Sequence, residues 1–379
     1  MPKITHLTVF PGTACNMDCS YCYLHNAVNG NAGGENSLSA YGADILHGIA
    51  AFVRYAERQE NAGIIPPCEA KITFLGGEPL LHGRNLKKWI LAARRLAPQM
   101  PLRVFTNGTL LDTDWIDFFK YNDVSIALSL DGEKAANDRF RKFRNSPDSV
   151  YDAVIAAIPS SERPSISVCA VITPQTAELL PESLFHIGSL GFGSVGWAPD
   201  MACHWPPEAI DRLSAAAAQF RREYIAAAKS GRLPFRISNM YETLAEISGG
   251  TSEQECSSIT LAGDGKFYPC DKLLALPPEQ IRHYSLDFGL NNQEWTEKRA
   301  KFFNALAERG GIFHSNACLA GTLARIDGLS ISAAEKTKIF ISQQKLAALV
   351  RRELRLLAEE GLKIPSFREA HNLPPQEAD

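Results

Sequence analysis

Six short apolar and β-branched segments, each followed by a longer helical pattern, occupy the first 230 residues of the chain. The segments predict strands at residues 4–10, 71–75, 102–106, 125–130, 165–172 and 194–198. The periodicity between them predicts helices at residues 39–58, 85–96, 113–121, 149–158, 178–190 and 208–230. This order predicts parallel strands joined by right-handed crossovers, and hence an α/β sheet or barrel. Ligands in such folds bind at the carboxyl ends of the strands, so we look for functional residues in the loops that follow them.

A different pattern begins after residue 231. Two short apolar runs flank a Gly-Asp-Gly turn at residues 263–265, which predicts a β-hairpin in a second, smaller unit. Residues 332–361 are leucine-rich and charged, and predict one long amphipathic helix. The Pro-rich, acidic tail after Pro365 is predicted to be frayed. These changes of pattern divide the chain into residues 1–235, 236–330 and 331–379.

Composition argues against several classes of protein. Lys and Arg number 39 against 42 Asp and Glu, so the chain has no basic surplus for a phosphate backbone, which argues against nucleic-acid binding. No run of about 18 apolar residues is present to span a membrane. The first ten residues lack the features of a secretory signal, and we expect a cytoplasmic protein. Because a reducing compartment disfavours structural disulfides, the nine cysteines are considered first as metal ligands or reactive thiols.

Three of these cysteines, Cys15, Cys19 and Cys22, lie within eight residues directly after the first predicted strand. A loop of this length can wrap three thiolates around one face of an iron–sulfur cube and leave one iron without a protein ligand. A structural zinc site would need a fourth Cys or His at comparable spacing, and the sequence has no second close pair. Three loop cysteines without a function are the remaining alternative.

The CxxxCxxC spacing, with an aromatic residue before the last cysteine, resembles the cluster motif of the radical S-adenosylmethionine (SAM) enzymes. This resemblance implies a partial (β/α)6 TIM-like barrel. It also implies a [4Fe-4S] cluster on Cys15, Cys19 and Cys22, with S-adenosylmethionine bound to the open iron.

Further motifs of this family follow the next predicted strands. Gly76-Gly77-Glu78-Pro79 resembles the GGEP motif, which in the family holds the methionine amino group of the cosubstrate, and glycines there let the backbone approach a ligand closely. Thr106-Asn107-Gly108 resembles the TNG segment, and Ser129-Leu130-Asp131-Gly132 resembles SLDG, whose serine faces the ribose. The family also has an arginine that meets the methionine carboxylate, for which we choose Arg141 over Arg139 and Arg144. Each motif alone is also typical of a strand-end turn; their order along the chain favours the family.

The hairpin region carries a second resemblance. Cys256, followed by the glycine turn and by Cys270-Asp271, is similar to the start of the SPASM and twitch extensions, which hold auxiliary clusters in radical SAM enzymes. Cys318-Leu319-Ala320-Gly321 resembles the CxGG element that returns a further ligand. The dense cysteine block of a second auxiliary cluster is absent. The resemblance therefore implies one auxiliary iron–sulfur cluster on Cys256, Cys270 and Cys318, with an open iron or an unidentified fourth ligand; three structural cysteines are the alternative.

Two further residues are candidates for catalysis. Asp271 matches an aspartate that in anaerobic sulfatase maturases accepts a proton during substrate oxidation, and capping of the hairpin end is the alternative. Cys203 follows the sixth predicted strand, on the side where substrate binds. It could complete the auxiliary cluster, donate a hydrogen atom to a substrate radical, or have no function. Cys169 lies within an apolar strand and is predicted to pack as a small hydrophobic residue.

The resemblance implies an enzyme that cleaves S-adenosylmethionine reductively to a 5′-deoxyadenosyl radical, which removes a hydrogen atom from substrate. The electron would come from a reductase such as flavodoxin or ferredoxin. Our leading hypothesis is a maturase of a ribosomally synthesised peptide or a protein, acting by oxidation, crosslinking or epimerisation, because the SLDG and Pro-Cys-Asp motifs resemble those of peptide maturases. The alternative is a twitch-type oxidoreductase acting on a small molecule such as an amino sugar or nucleotide. An iron–sulfur electron carrier would leave the GGEP and SLDG motifs unexplained, and the net charge disfavours an RNA substrate.

Overall fold

The computed structural model describes residues 4–24, 42–201, 203–247, 257–275, 285, 326 and 331–373. Within these ranges one sheet has the strand order β7-β6-β5-β4-β3-β2-β1-β8-β9. The strands are β1 His6–Phe10, β2 Lys71–Phe74, β3 Leu102–Thr106, β4 Val124–Ser129, β5 Ser167–Ile172, β6 Ser194–Pro199, β7 Arg236–Ile237, β8 Ser258–Ala262 and β9 Phe267–Tyr268. Neighbouring strands from β7 across to β8 are parallel, and only β8 and β9 are antiparallel. The six predicted strands and their parallel order are confirmed.

The predicted helices between the strands are also formed. The described helices are α1 Gly42–Asn61, α2 Arg84–Leu96, α3 Thr113–Tyr121, α4 Lys134–Phe140, α5 Val150–Ala157, α6 Leu180–Ser189, α7 Pro207–Lys229, α8 Tyr241–Ile247, α9 Ala333–Gly361 and α10 Pro365–Ala370. Short 3-10 turns lie at Pro79–His82, Arg163–Ser165, Ala177–Leu179, Ser238–Met240 and Asp271–Ala275. None of the described helices combines the length and apolar character that crossing a bilayer requires.

The two faces of the sheet differ in character. Alternate residues of a strand point to opposite faces, and one set, including Leu7, Ile72 and Val104, is fully buried in the main core together with apolar residues of α1 and α2. We call this the outer face. The opposite set, which begins with His6, Thr8 and Thr73, forms the inner face and is largely polar. Hydrophobic burial therefore holds the sheet mainly from its outer face.

The predicted hairpin at residues 258–268 is formed, and it extends the sheet. β8 pairs in parallel with β1 from His6 opposite Ser258 to Phe10 opposite Ala262, while β9 pairs back on β8. The turn places Gly265 at φ +78°, a conformation that glycine adopts without strain. Because β9 is antiparallel to β8, it runs back from the edge where β1 ends, and Cys270 and Asp271 follow it.

The predicted helix near the carboxyl end of the chain is α9, which begins with a capping box. The Ser332 hydroxyl accepts from the Glu335 amide, and the Glu335 carboxylate accepts from the Ser332 amide. One face of α9, including Leu346 and Leu354, is buried in the main core. Arg221 of α7 pairs with Glu353 of this helix at 3.2 Å.

The prediction of a frayed segment after Pro365 is wrong for residues 365–370. Proline is well accommodated at the start of a helix, and Pro365 opens α10 rather than ending order. Phe367 is fully buried in the main core, and its ring stacks on His371 with centroids 4.2 Å apart. Burial of this aromatic side chain outweighs the polar composition of the tail.

We predict that Leu346→Ala lowers the free energy of unfolding by about 2–5 kcal/mol, because it leaves a cavity at a fully buried site between α9 and the core. Urea denaturation followed by circular dichroism measures the change. The matched control is Lys345→Ala at the exposed neighbouring position, expected within about 0.5 kcal/mol of wild type. Equal small effects of the two substitutions would show that α9 is not part of the core.

Candidate active site

The predicted motif residues gather at one edge of the sheet. The parallel register places the ends of β1 to β4 side by side, and each is followed by one of the motifs. The cysteine loop follows β1, Gly76 follows β2, Asn107 follows β3, and Ser129 ends β4. The structure therefore brings together residues that are more than a hundred positions apart in sequence.

Three half-buried thiols, those of Cys15, Cys19 and Cys22, lie in the loop after β1. Burial raises the pKa of Cys15 to about 11 and that of Cys19 to about 12; Cys22 adds to the rise at Cys15, and Cys22 and Cys15 both add to the rise at Cys19. Each of these two thiols thus interacts electrostatically with at least one other thiol of the loop. A thiol binds metal as the thiolate, so a metal centre that binds to this loop has to displace the thiol protons. Within the described ranges, no three His, Cys, Asp or Glu side chains are arranged around a single metal ion.

The backbone of the cysteine loop is held from two sides. On one side the amides of Gly77 and Glu78 donate to the carbonyls of Gly12 and Ala14 at 3.0 and 2.8 Å. On the other side residues 140–144 pair antiparallel with residues 16–20, through three backbone hydrogen bonds of 2.8–3.1 Å. This second support was not predictable from the sequence, because the segment is short and carries no periodic pattern.

The glycines of the GGEP motif have a structural reason. A Cβ on Gly77 would lie 2.1 Å from the carbonyl oxygen of Ala14 and 2.4 Å from that of Thr13. A Cβ on Gly76 would lie 2.9 Å from the carbonyl oxygen of Gly12. These glycines therefore let the GGEP loop pack directly on the backbone that leads into the cysteine loop. The predicted contact of this loop with the cosubstrate stays a prediction.

Glu78 is buried, and both of its carboxylate oxygens accept hydrogen bonds from the protein. Oε1 accepts from the Leu80 amide at 3.0 Å and from the Thr106 hydroxyl at 2.8 Å, and Oε2 accepts from the Asn107 amide at 2.7 Å. Burial raises the pKa of Glu78 to about 7 although these hydrogen bonds oppose the rise. Glu78 thus ties the end of β2 to the end of β3, and Pro79 begins the short 3-10 turn that follows.

Asn107 connects the end of β3 with the cysteine loop. Its amide nitrogen donates to the Asn16 side chain at 2.9 Å and lies 3.8 Å from the Cys15 sulfur. Its amide oxygen accepts from the Thr109 amide and hydroxyl at 3.0 and 2.7 Å. Asn107 therefore links the end of β3 to Cys15 and Asn16 of the cysteine loop.

A buried ion pair lies beside the second cysteine, Cys19. The Arg141 Nε and Nη2 atoms donate to the two carboxylate oxygens of Asp131 at 2.9 and 3.0 Å. Tyr21 also donates its hydroxyl to Asp131, and the Arg141 guanidinium lies 5.3 Å from the Tyr21 ring centre. Burial alone would lower the pKa of Arg141, but the Asp131 carboxylate raises it, so Arg141 stays charged. Arg141, predicted to meet a cosubstrate carboxylate, is thus anchored first to a carboxylate of its own chain.

Ser129 is half-buried at the end of β4, and its hydroxyl has no hydrogen-bond partner among the described residues. Of the two other arginines considered, Arg139 lies over the Phe140 ring at 5.4 Å, and the Arg144 side chain donates to the Met17 carbonyl at 3.4 Å. Arg144 therefore belongs to the support of the cysteine loop.

Asp271 lies close to the same loop. Its carboxylate accepts from the Tyr23 hydroxyl at 3.1 Å and from the Lys272 ammonium at 2.5 Å, and the Cys270 sulfur lies 3.7 Å away. Burial would raise the pKa of Asp271, but Lys272 and the Tyr23 hydroxyl together hold it below the usual range. Cys270 and Cys22 pack against one small apolar cluster around Phe10 and Leu273. The hairpin end and the cysteine loop are therefore in contact.

The remaining candidate cysteines have different surroundings. Cys256 and Cys318 lie outside the described residues, so the structure leaves their role as ligands a prediction. Cys203 is half-buried on the loop after β6, and its thiol donates to the Asp200 carbonyl at 3.8 Å. Cys169 is half-buried on the inner face, opposite Ser129 and Gly196 in the register, and is not packed in an apolar core as the sequence suggested.

The raised pKa of Glu78 predicts a pH dependence of stability. The folded state binds this proton more tightly than the unfolded chain, so the contribution of Glu78 to stability is lost as pH rises from about 4.5 through about 7. In urea denaturation between pH 5 and 8, the stability of wild type relative to Glu78→Gln should fall by up to about 3 kcal/mol. The exposed Glu57→Gln serves as the control, whose curve should parallel that of wild type. A constant difference between wild type and Glu78→Gln would contradict the prediction.

Comparisons with known proteins agree with this arrangement. The sequence model of the Radical SAM superfamily matches residues 9–178. The cysteine-type anaerobic sulfatase-maturating enzyme of Clostridium novyi (strain NT) is 28% identical over 155 residues, covering 39% of this chain and 38% of the relative. The serine-type anaerobic sulfatase-maturating enzyme of Klebsiella aerogenes is 32% identical over 145 residues, covering 37% of this chain and 33% of the relative. The chain thus spans little more than a third of the length of these relatives.

Among solved structures, native anSMEcpe with bound AdoMet and Cp18Cys peptide superimposes with a TM-score of 0.62 at 17% identity, over 93% of this chain and 98% of that chain. This likeness shows the fold, a mixed α/β TIM-like partial barrel with a parallel sheet. The matched residues 9–178 include β2 to β5 and the motifs from Cys15 to Arg141. The chain therefore contains, in residues 9–178, a domain of the radical SAM superfamily.

Proposed function

We propose that this protein is an enzyme that cleaves S-adenosylmethionine reductively and removes a hydrogen atom from a peptide or protein substrate. The observation that carries the proposal is the loop of Cys15, Cys19 and Cys22, whose neighbouring thiols are held against the ends of β2, β3 and β4. The relatives named as sulfatase-maturating enzymes, and the peptide bound to anSMEcpe, support a peptide as the class of substrate.

The residues of this loop fit an iron–sulfur cluster. Cys15, Cys19 and Cys22 would be the three protein ligands, which leaves a fourth position for the cosubstrate. The Asn107 amide, 3.8 Å from the Cys15 sulfur, can donate to a sulfur ligand, and such donors tune the potential of a cluster. When bound, the cluster and S-adenosylmethionine supply the radical chemistry, and 5′-deoxyadenosine is the product that reports it.

Three groups at the strand ends would orient the cosubstrate. The Ser129 hydroxyl, with no partner among the described residues, can bond to a ribose hydroxyl. Arg141 is held by Asp131 through Nε and Nη2, which leaves Nη1 to meet a carboxylate. The GGEP loop would contribute backbone groups, because the Glu78 carboxylate is occupied within the protein. The Asp131 carboxylate acts through Arg141 and Tyr21, as a positioning residue.

Asp271 would hold the proton that leaves the substrate on oxidation. Its depressed pKa keeps it ionised at neutral pH, as a proton acceptor requires, and Tyr23 fixes its orientation. Cys270 beside it is a candidate ligand of an auxiliary cluster together with Cys256 and Cys318, and that cluster would receive the electron. A flavodoxin or ferredoxin would be the external electron donor, and we propose a cytoplasmic location.

We predict that the triple substitution of Cys15, Cys19 and Cys22 by Ala abolishes formation of 5′-deoxyadenosine from S-adenosylmethionine under dithionite. Iron and sulfide should fall from about eight to about four per chain after anaerobic reconstitution, because one of two four-iron clusters is lost. Cys68→Ala, at an exposed thiol away from the motifs, is the control and should keep both values. Persistence of 5′-deoxyadenosine in the triple variant would overturn the proposal. A fall from about four irons to none would remove the auxiliary cluster from it.

We predict that Asp271→Asn separates the two halves of the reaction. With a peptide that wild type modifies, the variant should form 5′-deoxyadenosine at a rate within about threefold of wild type, while oxidised peptide falls by about tenfold or more. Between pH 6 and 9 the wild-type profile should show no step from Asp271, because its pKa lies below the usual range. Glu57→Gln is the surface control. Equal loss of both products would assign Asp271 a structural role.

A further inference from the structure

One row of residues on the inner face of the barrel consists of hydroxyl-bearing side chains and one arginine. The register places Thr8 opposite Thr73 and Thr260, and Thr73 opposite Arg103. Arg103 in turn lies opposite Ser125. These residues form a row across five neighbouring strands, on the face that the helices do not cover. An apolar packing role does not explain such a row.

Arg103 is the exceptional member of this row. Its side chain is exposed, and its Nε donates to the Ser125 hydroxyl at 3.4 Å. No carboxylate among the described residues pairs with it, whereas Arg141 is paired with Asp131 and Arg221 with Glu353. The guanidinium therefore keeps most of its donors for a group that is not part of the described chain.

The charge of Arg103 acts across the inside of the barrel. It lowers the pKa of His6 on β1 and opposes the rise of the pKa of Cys169 on β5. The charge of Arg103 therefore acts on ionisable groups of strands on either side of β3. Burial and then Lys71 contribute most to lowering the pKa of His6 to about 3, while Asp271 opposes them. The ring therefore stays neutral between its partners Thr73 and Ser258.

The geometry points to Arg103 as the residue that binds a carboxylate of the substrate inside the barrel. A guanidinium fork matches a carboxylate in two parallel hydrogen bonds, and a neighbouring hydroxyl such as Ser125 can add a third contact. This inference rests on the proposed function, because it names the class of substrate: a peptide that carries an acidic group near the residue to be modified.

The residue spacing along β3 limits the distance between that acidic group and the peptide residue to be modified. Arg103 lies near the start of β3, and Asn107 directly follows this strand four residues later, a rise of about 13 Å. Asn107 marks the level of the cysteine loop, and an extended peptide rises about 3.3 Å per residue. The carboxylate is therefore within about four residues of the modified position. It comes either from an Asp or Glu side chain or from the end of the peptide.

A set of peptides tests this directly. Each would carry one central Cys or Ser in an otherwise neutral sequence, with a single Glu, or a matched Gln, at each of the four positions on either side. A further pair would differ only in a free or amidated carboxyl end. We expect wild type to modify one or more acidic peptides about tenfold better in kcat/KM than the matched neutral ones, since a bond to a charged group is typically this strong. Whether the Glu or the free end matters identifies the source of the carboxylate.

The variants are Arg103→Gln, Arg103→Lys and, as a matched surface control, Arg95→Gln on α2. Arg103→Gln should lose the preference for acidic peptides, Arg103→Lys should keep part of it, and Arg95→Gln should equal wild type. The rate of peptide-independent 5′-deoxyadenosine formation should be the same in all four proteins. An unchanged preference in Arg103→Gln would overturn the inference.

A second measurement needs no peptide turnover. Cys169 on the inner face and the exposed Cys68 are alkylated in the anaerobic holoenzyme by iodoacetate or by neutral iodoacetamide, and mass spectrometry of each peptide gives the ratio of the two rates. The measured quantity is the rate of alkylation by iodoacetate divided by the rate by iodoacetamide, at Cys169 relative to Cys68. This quantity should fall about threefold or more in Arg103→Gln and not in Arg103→Lys or Arg95→Gln. No fall would overturn an anion site at Arg103. If no peptide is modified while the ratio falls, the peptide hypothesis fails and the anion site stands.

Discussion

Parallel pairing of neighbouring strands determines where every candidate functional group lies. Because β1 to β4 run in the same direction and are in register, the loops that follow them emerge at one edge of the sheet. The fold thus brings together groups that are far apart along the chain: three thiols of one loop, a glycine-rich turn, an amide and a carboxylate. The outer face, buried against helices, holds this register, since a slip by one residue would turn each apolar set toward the polar inside.

The loops themselves are held by polar contacts that are expensive to bury and therefore specific. Glu78 joins β2 to β3, and Asp131 joins Arg141 to Tyr21, with the charges of the pair taken out of water. A buried pair of this kind adds little net stability over apolar packing, but loss of one partner leaves an unpaired charge, so the pair tolerates few alternative arrangements. The cysteine loop is supported by these groups on one side and by residues 140–144 on the other. Rigid support of a ligand loop is what a cluster site requires.

Sequence alone predicted the strands, the helices between them and the motif residues, because periodicity and motif spacing are local properties. It did not predict contacts between distant segments. The pairing of residues 140–144 with the cysteine loop, and the contact of Gly77 with Ala14, depend on loops brought together only by the folded sheet. The same holds for β8, whose hairpin was predicted but whose place beside β1 was not. Local composition also misled at Phe367, where one buried ring orders a segment rich in polar residues.

The polar inner face affects how the substrate specificity of such a barrel can change through substitutions. Residues of the outer face carry the packing, so substitutions there alter stability. Inner-face positions such as Thr8, Ser125 and Arg103 contribute little apolar burial, and can change without loss of the core. In the proposed function, the cosubstrate contacts lie at the strand ends, and the residues deeper in the barrel would meet the substrate. Chemistry and specificity would then reside at different levels of the same sheet, with Asn107 just after the end of β3 and Arg103 near its start.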